Sequence, residues 1–171
     1  MKRLGTACML LLTLSIATYA GAAASGYNVS LTISPFRLFN PELFFTGELR
    51  LAPKMSIAAM LGAGSVTEEE KAHSIVEASG QYRYYLIGSF CHGMMVGADA
   101  GYVNAGGSQM PGAAMYLVGI HAGGFLGYKL TMKNGFTAEA QIGPVYVWGK
   151  TKDTTELQTL LNLNIGWSFK K

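Results

Sequence analysis

Charged residues are scarce in this chain, and that scarcity limits the class of protein to which it can belong. Asp, Glu, Lys and Arg make up 13% of the 171 residues, against about 25% in an ordinary soluble domain. Apolar residues make up 50%, yet no run after the N-terminus reaches the ~18 uninterrupted apolar residues that indicate a spanning helix. The composition therefore disfavours a helical membrane protein and an ordinary soluble domain, and it favours membrane β structure.

Cysteine is also scarce, and the N-terminal segment accounts for half of it. Lys2 and Arg3 precede an apolar stretch, Cys8–Ala20, and the small residues Ala22–Ala24 provide a cleavage site. We therefore predict a signal peptide over residues 1–24 and one domain over residues 25–171. In the cleaved chain Cys91 is the only cysteine, which excludes an intramolecular disulfide.

Signals for nucleic-acid binding and for cofactors are missing as well. Loss of Lys2 and Arg3 leaves 11 basic and 10 acidic residues, a net charge of +1. Nucleic-acid binding usually requires a basic face, so we expect no nucleic-acid partner. The sequence contains no Walker loop, dinucleotide fingerprint, paired-cysteine zinc motif or G-x-S-x-G. We expect no cofactor, no metal and no enzymatic activity.

The last segment, Leu157–Phe169, shows the pattern on which the rest of the chain is built. Alternate residues from Leu157 to Phe169 form an apolar face that ends in Trp167 and Phe169, and the residues between them are mostly polar or small. This period of two indicates a β-strand with one apolar face. Seven earlier segments show the same alternation. The eight predicted strands are Tyr27–Ile33, Glu42–Leu51, Met55–Gly64, Ile75–Leu86, Met94–Val103, Met115–Leu130, Phe136–Trp148 and Leu157–Phe169.

The connections between the predicted strands alternate in length. Those after the second, fourth and sixth strands are mostly tight, and Lys133-Asn134-Gly135 is a strong hairpin signal. Those after the third, fifth and seventh strands are longer: Ser65–Ser74, Asn104–Ala114 and Gly149–Glu156. Short turns at one end and longer loops at the other are typical of outer-membrane barrels. A ten-strand barrel stays open as an alternative, because Asn104–Ala114 could contain further extended chain.

Aromatic residues lie near the predicted strand ends, as expected of two membrane-interface girdles. Pro144 lacks the N–H that a strand needs, so we expect a bulge there, near the outer rim. The ten predicted interface aromatics are Tyr27, Tyr82, Tyr84, Tyr102, Tyr116, Tyr128, Tyr146, Trp148, Trp167 and Phe169.

Charged residues fall mainly on the face opposite the apolar one. An eight-stranded barrel is only wide enough for side chains to fill, so these groups must pair and form hydrogen bonds inside it. We interpret them as a structural network; an acid–base pair of His121 with Glu139 is the alternative. The predicted interior set is Glu48, Arg50, Glu77, Arg83, Asp99, His121, Lys129 and Glu139.

With these features the chain resembles the small outer-membrane β-barrels of the OmpA/OmpX-like class, over roughly residues 27–169. In that class the final strand commonly ends in phenylalanine, which the insertion machinery reads. Phe169 matches this pattern, although Lys170 and Lys171 follow it. The resemblance implies a bacterial outer-membrane protein that contacts lipid and lipopolysaccharide. It also implies a structural, adhesion or resistance role and, in a few members, lipid modification.

We therefore predict an all-β, eight-stranded antiparallel up-and-down transmembrane barrel that is monomeric and has a filled polar interior. Its expected role is structural or surface-interacting, through the three longer connections. One alternative is an outer-membrane lipid-modifying enzyme, which would need a Ser/His/acid cluster near the rim. The other is a soluble periplasmic barrel with inverted faces that binds an apolar ligand, with Glu48, Arg83, Asp99 and Glu139 outside.

Overall fold

The period-two alternation produces eight strands in the computed structural model, which describes residues 26–35, 42–68, 71–106, 118–149 and 155–170. The predicted signal peptide lies outside these residues. The strands are β1 (Tyr27–Ile33), β2 (Glu42–Ala52), β3 (Met55–Glu68), β4 (Lys71–Ser89), β5 (His92–Gly106), β6 (Gly119–Thr131), β7 (Phe136–Gly149) and β8 (Thr155–Lys170).

The strands form one closed barrel in sequence order, and every neighbouring pair is antiparallel. β1 closes the ring on β8, with Ser30 opposite Ser168 and Ile33 opposite Ile165. This confirms the predicted all-β fold with eight strands in up-and-down topology, and the ring that these strands form leaves no place for the ten-strand alternative.

The stagger of the strands fixes the dimensions of the barrel. Following paired residues from Ser30 through each strand leads to Gln158 on β8, whereas Ser30 itself pairs with Ser168, ten residues further on. For eight strands with this stagger, spacings of ~3.3 Å along and ~4.8 Å between strands give a tilt of about 41° and a backbone radius of about 8 Å. Such a barrel encloses space for side chains and little else.

Three tight turns and both described chain termini lie at one end of the barrel, called here the turn end. The turns follow β2, β4 and β6, and the last of them is the predicted Asn-Gly hairpin. Gly135 there has a φ of 90°, and the Asn134 Oδ1 atom accepts a hydrogen bond of 3.0 Å from the Phe136 amide. The up-and-down order of the strands thus places the connections after β1, β3, β5 and β7 at the opposite end.

The expected loop Ser65–Ser74 is wrong for most of its length. β3 and β4 continue through it as a paired ladder, with Ser65 opposite Ser74 and Glu68 opposite Lys71. The polar composition suggested a loop, but two strands that pair through their backbones need no apolar face where nothing packs against them. β5 likewise extends to Gly106, and the rest of the expected loop Asn104–Ala114 lies outside the described residues.

Pro144 lies in β7 without the expected bulge. Pairing between β6 and β7 is interrupted between Gly123 opposite Val145 and Leu126 opposite Ile142, yet the register is the same on both sides of the gap. Pairing with β8 is continuous through Pro144. A Cβ atom built on Gly143 would lie 2.0 Å from the Gly124 carbonyl oxygen. Glycines therefore let the two backbones approach beside the proline, so that no extra residue is needed.

Candidate functional site: the lumen and the outer surface

The lumen contains the polar faces of the strands. Glu48, Arg83, Asp99 and Glu139 are buried inside the barrel, while the Leu, Ile, Tyr and Trp residues of the alternate positions are exposed outside. This is the face assignment predicted from the alternation, and it contradicts the inverted arrangement of the alternative. Four buried amides, Gln81, Gln141, Asn162 and Asn164, belong to the same hydrogen-bond network as the charged groups. Buried Thr131, Thr137 and Ser168 form a separate hydroxyl cluster near the turn after β6.

Glu48 on β2 is the carboxylate at the centre of the polar contacts in the half of the lumen nearer the turn end. Its Oε2 atom lies 2.6 Å from the Lys129 Nζ and 2.9 Å from the Arg83 Nη1. Its Oε1 atom accepts hydrogen bonds from the Ser56 hydroxyl at 2.6 Å and the Tyr85 hydroxyl at 2.9 Å. Both carboxylate oxygens are therefore satisfied by donors from three other strands.

Arg83 on β4 joins this group to a second carboxylate. Its Nη1 atom also lies 2.9 Å from the Glu139 Oε2, and its Nε and Nη2 atoms donate to the Gln81 Oε1 at 2.9 and 2.7 Å. Glu139 accepts in addition from Gln141 at 2.6 Å and from Asn164 at 3.3 Å. A guanidinium buried in this way is stable because its charge and its donors are matched.

Asp99 and His121 form a separate ion-pair geometry toward the other end of the lumen. The His121 Nε2 lies 2.8 Å from the Asp99 Oδ1, and Asp99 accepts a further hydrogen bond of 2.9 Å from Gln81. Glu139, the acid considered as a partner of His121, bonds instead to Arg83. The carboxylate that pairs with His121 is therefore Asp99, and not Glu139 as in the alternative considered from the sequence.

Two predicted interior residues, Arg50 and Glu77, are half-buried near opposite ends of the barrel. Arg50 donates a hydrogen bond of 3.3 Å from Nε to the Ala52 carbonyl at the turn end. Glu77 lies on β4 opposite Val103, on the lumen-facing side. Of the predicted set, Glu48, Arg83, Lys129 and Glu139 make direct contact with one another, and Gln81 links them to Asp99 and His121.

A serine lies closer to His121 than the sequence order suggested. Ser79, Gly101 and His121 are register partners across β4, β5 and β6. A Cβ atom built on Gly101 would lie 2.4 Å from the Ser79 Cβ and 2.6 Å from the His121 Cε1. The Ser79 hydroxyl nevertheless has no hydrogen-bond partner among the described residues. An activated serine nucleophile requires a hydrogen bond to its base, and this arrangement lacks that bond.

The apolar filling of the lumen is the feature that sequence reasoning missed. Phe44, Tyr85 and Phe125 are buried on the lumen-facing side of their strands. Each lies an even number of residues from Glu48, Arg83 or Lys129 in the same strand, and this spacing could have identified them from the sequence. The other large apolar side chains that fill the lumen are Met60, Phe90 and Met95.

The turn between β4 and β5 closes the turn end of the lumen. Phe90 is fully buried there, with its ring 6.4 Å from that of Tyr85 and 3.8 Å from the Lys129 Nζ. Cys91 beside it is also buried, and the Thr131 amide donates to its carbonyl at 2.7 Å. Burial raises the pKa of the Cys91 thiol above its ordinary value, so the thiol stays protonated near neutral pH.

The outer surface carries a continuous belt of exposed apolar side chains. Leu61 is 63% exposed and Ile142 is 57% exposed, as is typical of side chains without a protein neighbour on one side. Exposed aliphatic residues occur on all eight strands; they include Leu31, Leu43, Leu49, Ile57, Leu61, Val76, Met94, Leu126, Ile142 and Leu161. An exposed apolar surface that encircles the molecule is far larger than the patches found on soluble monomers.

Exposed aromatic residues border this belt at both ends. Toward the turn end, Met55 pairs with Tyr84, and the ring of Trp167 lies 5.6 Å from that of Phe136 in an edge-on arrangement. At the other end Tyr102 pairs with Ile120, which pairs with Trp148. The predicted interface aromatics on the outer surface are Tyr82, Tyr84, Tyr128, Trp167 and Phe169 toward the turn end, and Tyr102, Tyr146 and Trp148 at the other.

Two of the predicted interface aromatics do not fit this description. Tyr27 is only 5% exposed; a register shift on β1 precedes Val29, and the Tyr27 hydroxyl donates to the Lys133 carbonyl at 2.9 Å. Tyr27 therefore lies at the predicted end of the barrel, but it is buried in the closure of the turn end and not exposed on the outer surface with the other aromatics. Tyr116 lies outside the described residues.

Neither a spanning helix nor a cluster of metal ligands was found in the parts of the chain that the structure describes. No helix there is long and apolar enough to cross a membrane. No group of three or more His, Cys, Asp or Glu side chains there could hold a metal ion. Comparison of the chain with protein-family models, with curated proteins and with solved structures found no match.

Proposed function

We propose that this protein is a monomeric β-barrel of a bacterial outer membrane, with a structural or surface-interaction role. The observation that carries the proposal is the distribution of side chains between the two faces of a closed sheet. The charged groups Glu48, Arg83, Lys129 and Glu139 lie inside and pair with one another, whereas a belt of large apolar residues is exposed outside. Lipid is the environment that covers such an exterior without a partner protein.

The backbone geometry supports the same proposal. A closed barrel pairs strand backbones with one another, as a hydrocarbon environment requires. With a tilt of about 41°, a strand of about ten residues spans an apolar band about 25 Å tall. Seven of the eight strands have 11 to 19 residues, which is enough to cross the band and extend beyond it.

The orientation follows from the lengths of the connections. Outer-membrane barrels have short periplasmic turns and longer outside connections, so the turn end of this barrel faces the periplasm. β8 then ends at the periplasmic side, where the insertion machinery would read its alternating apolar residues up to Phe169. The opposite end, with the extended β3–β4 hairpin, faces the outside and its lipopolysaccharide.

The filled lumen favours a structural or surface-interaction role over an open channel. Arg83, Tyr85, Phe44 and Phe90 are fully buried inside the barrel, and Phe90 closes the turn end. We therefore expect the protein to contact lipid through its outer surface and other partners through the connections at the outside end.

Fractionation of cells that express the chain with its N-terminal segment tests the location. The proposal predicts a band in the outer-membrane fraction that migrates faster without boiling than after boiling, because a closed barrel resists detergent. A band in the soluble periplasmic fraction, with the same mobility before and after boiling, would contradict it.

An epitope tag tests the orientation and the surface role. A tag inserted between Gly107 and Ser108, after the end of β5, should be detected by antibody on intact cells. The same tag inserted between Lys133 and Asn134, in the turn after β6, should be detected only after the outer membrane is permeabilised. The reverse result would contradict the orientation on which the surface role depends.

A further inference from the structure

The turn end of the barrel is cationic, and no acidic residue lies in its three turns. Lys54 lies in the turn after β2, Lys133 in the turn after β6, and Lys170 at the end of β8; all three are exposed. Arg50, half-buried, lies at the same end of β2. The turns themselves, residues 53–54, 90–91 and 132–135, contain no Asp or Glu.

The carboxylates nearest in the strands do not neutralise these cations. Glu48 is buried against Lys129 and Arg83, and Glu139 is buried against Arg83. Other described acids, such as Glu42, Glu68 and Glu156, lie at the opposite ends of their strands. Among the described residues, no carboxylate thus compensates the charge of the turn end.

Two of the lysines are held beside the same aromatic ring. The Tyr27 hydroxyl donates to the Lys133 carbonyl at 2.9 Å, and the Lys170 Nζ lies 5.4 Å from the centre of the Tyr27 ring. The Ser168 amide donates to the Gly135 carbonyl at 2.8 Å, which ties the end of β8 to the same turn. The backbone segments that carry Lys133 and Lys170 are therefore fixed at the rim.

Each lysine also adjoins an exposed apolar residue of the belt. Lys133 follows Met132, Lys170 follows Phe169, and the Lys54 Nζ lies 3.4 Å from the Leu86 carbonyl oxygen. An ammonium group at the edge of an apolar surface can keep its stem against acyl chains and its charge among head groups. Near an anionic membrane surface, each such charge adds favourable electrostatic attraction.

We propose that the turn end is a binding collar for anionic phospholipid, which recruits lipids with a phosphate-bearing, net negative head group to this rim. The inference rests on the proposed membrane location. A lipid fits better than a soluble anionic polymer because the lysines border the apolar belt. A lipid would contact both the lysines and the exposed apolar residues beside them, whereas a soluble polymer beyond the end of the barrel would contact only the lysines.

The two tryptophans of the chain provide a test, because Trp167 lies at the turn end and Trp148 at the other. Single-tryptophan chains made with Trp148→Phe or Trp167→Phe would be folded into phosphatidylcholine vesicles. Quenching would then be compared between brominated phosphatidylglycerol and brominated phosphatidylcholine. At low salt, Trp167 should report an affinity for phosphatidylglycerol at least about twofold higher than for phosphatidylcholine, whereas Trp148 should report a ratio near one.

Charge removal supplies the matched control. The triple substitution Lys54→Gln, Lys133→Gln and Lys170→Gln should bring the ratio at Trp167 to one, as should high salt, which screens exposed charges. A gel shift on boiling would confirm that the variant still forms the barrel.

Three outcomes separate the two proposals. Quenching by both lipids with equal affinity at Trp167 overturns the collar and leaves the turn end for a soluble anionic partner in the periplasm. A preference that survives the triple substitution also overturns it. Absence of quenching by either brominated lipid, together with absence of a gel shift, overturns the membrane location itself.

Discussion

Among the lumen residues, Glu48 is the one whose substitution should lower the free energy of unfolding most. It is 3% exposed, and its carboxylate pairs with Lys129 and Arg83. Glu48→Gln keeps the size of the side chain but leaves a buried cation without its counter-charge. Breaking a buried pair in this way costs about 3–5 kcal/mol, which urea unfolding of the detergent-folded barrel would measure.

Thr46→Val is the matched control, because Thr46 lies two residues away on the same face of β2. Its hydroxyl is buried and has no hydrogen-bond partner among the described residues, so its removal should change the free energy of unfolding by less than about 1 kcal/mol. Equal losses for Glu48→Gln and Thr46→Val would refute the assignment of Glu48 as the centre of the network.

Glycines divide into two kinds according to the face they occupy. A Cβ atom on Gly97 would lie 2.3 Å from the Phe125 ring inside the lumen, and 2.6 Å from the Tyr82 carbonyl oxygen. A Cβ atom on Gly124, on the outer face, would meet nothing closer than the Gly97 carbonyl oxygen at 3.6 Å. The lumen has no room for a methyl group at Gly97, while the outer surface has room at Gly124.

Alanine at these two positions should therefore have different effects. Gly97→Ala should destabilise the barrel by about 1–3 kcal/mol through overpacking. Gly124→Ala should be neutral, or stabilising by about 0.4–1 kcal/mol through the loss of unfolded-state freedom. Urea unfolding of both variants checks the pair, and a harmless Gly97→Ala would mean that the lumen is less densely filled than described.

At the scale of elements, the turn after β4 acts as the closure of the lumen. Phe90→Ala removes a fully buried ring that packs against Tyr85 and Lys129, at a cost of about 3–5 kcal/mol. Because local opening becomes easier when such packing is lost, maleimide should label Cys91 at least about tenfold faster in this variant. The raised pKa of the thiol makes labelling of the intact barrel slow at neutral pH, since the thiolate is the reactive form.

Phe45→Ala provides the comparison for this element. Phe45 is of the same size but lies exposed on the outer face of β2, so its removal should leave the labelling rate of Cys91 unchanged. If both variants accelerated labelling equally, Cys91 would be reporting global opening, and the closure by Phe90 would be contradicted.

The elements that the sequence predicted best are those in which alternation alone decides the structure. β1 was predicted with its observed bounds, and the period of two assigned the faces of the described strands correctly, apart from Tyr27 and the apolar lumen residues such as Phe44. The hairpin at Asn134-Gly135 followed from the turn chemistry of those two residues. In each case a local pattern of a few residues is sufficient, because the face of a strand is fixed by parity.

The features that the sequence did not reveal depend on distant partners. The ladder through Ser65–Ser74 is invisible in a polar segment, since composition does not distinguish a strand outside a buried region from a loop. Tyr27 turns into the rim because of a register shift against β8. His121 meets Asp99 rather than Glu139 because of the stagger between strands, which no single segment encodes.

At the scale of the whole molecule, the outer surface should tolerate charge according to depth. Leu126 lies exposed in the middle of β6, and Met132 lies exposed just beyond its end at the turn. In a lipid bilayer, Leu126→Arg should cost about 2–4 kcal/mol and Met132→Arg about 0–1 kcal/mol. Urea unfolding from vesicles measures both, and equal costs would argue against a lipid-facing belt.

The most direct test of the account is whether the barrel needs lipid to form. The chain from Ser25 onward, denatured in urea, would be diluted into buffer with and without phospholipid vesicles and examined on gels without boiling. The account predicts a fast-migrating band, converted by boiling to a slower one, only when vesicles or detergent are present, because the belt around Leu61 and Ile142 has no other covering. A folded, soluble monomer in buffer alone would contradict it.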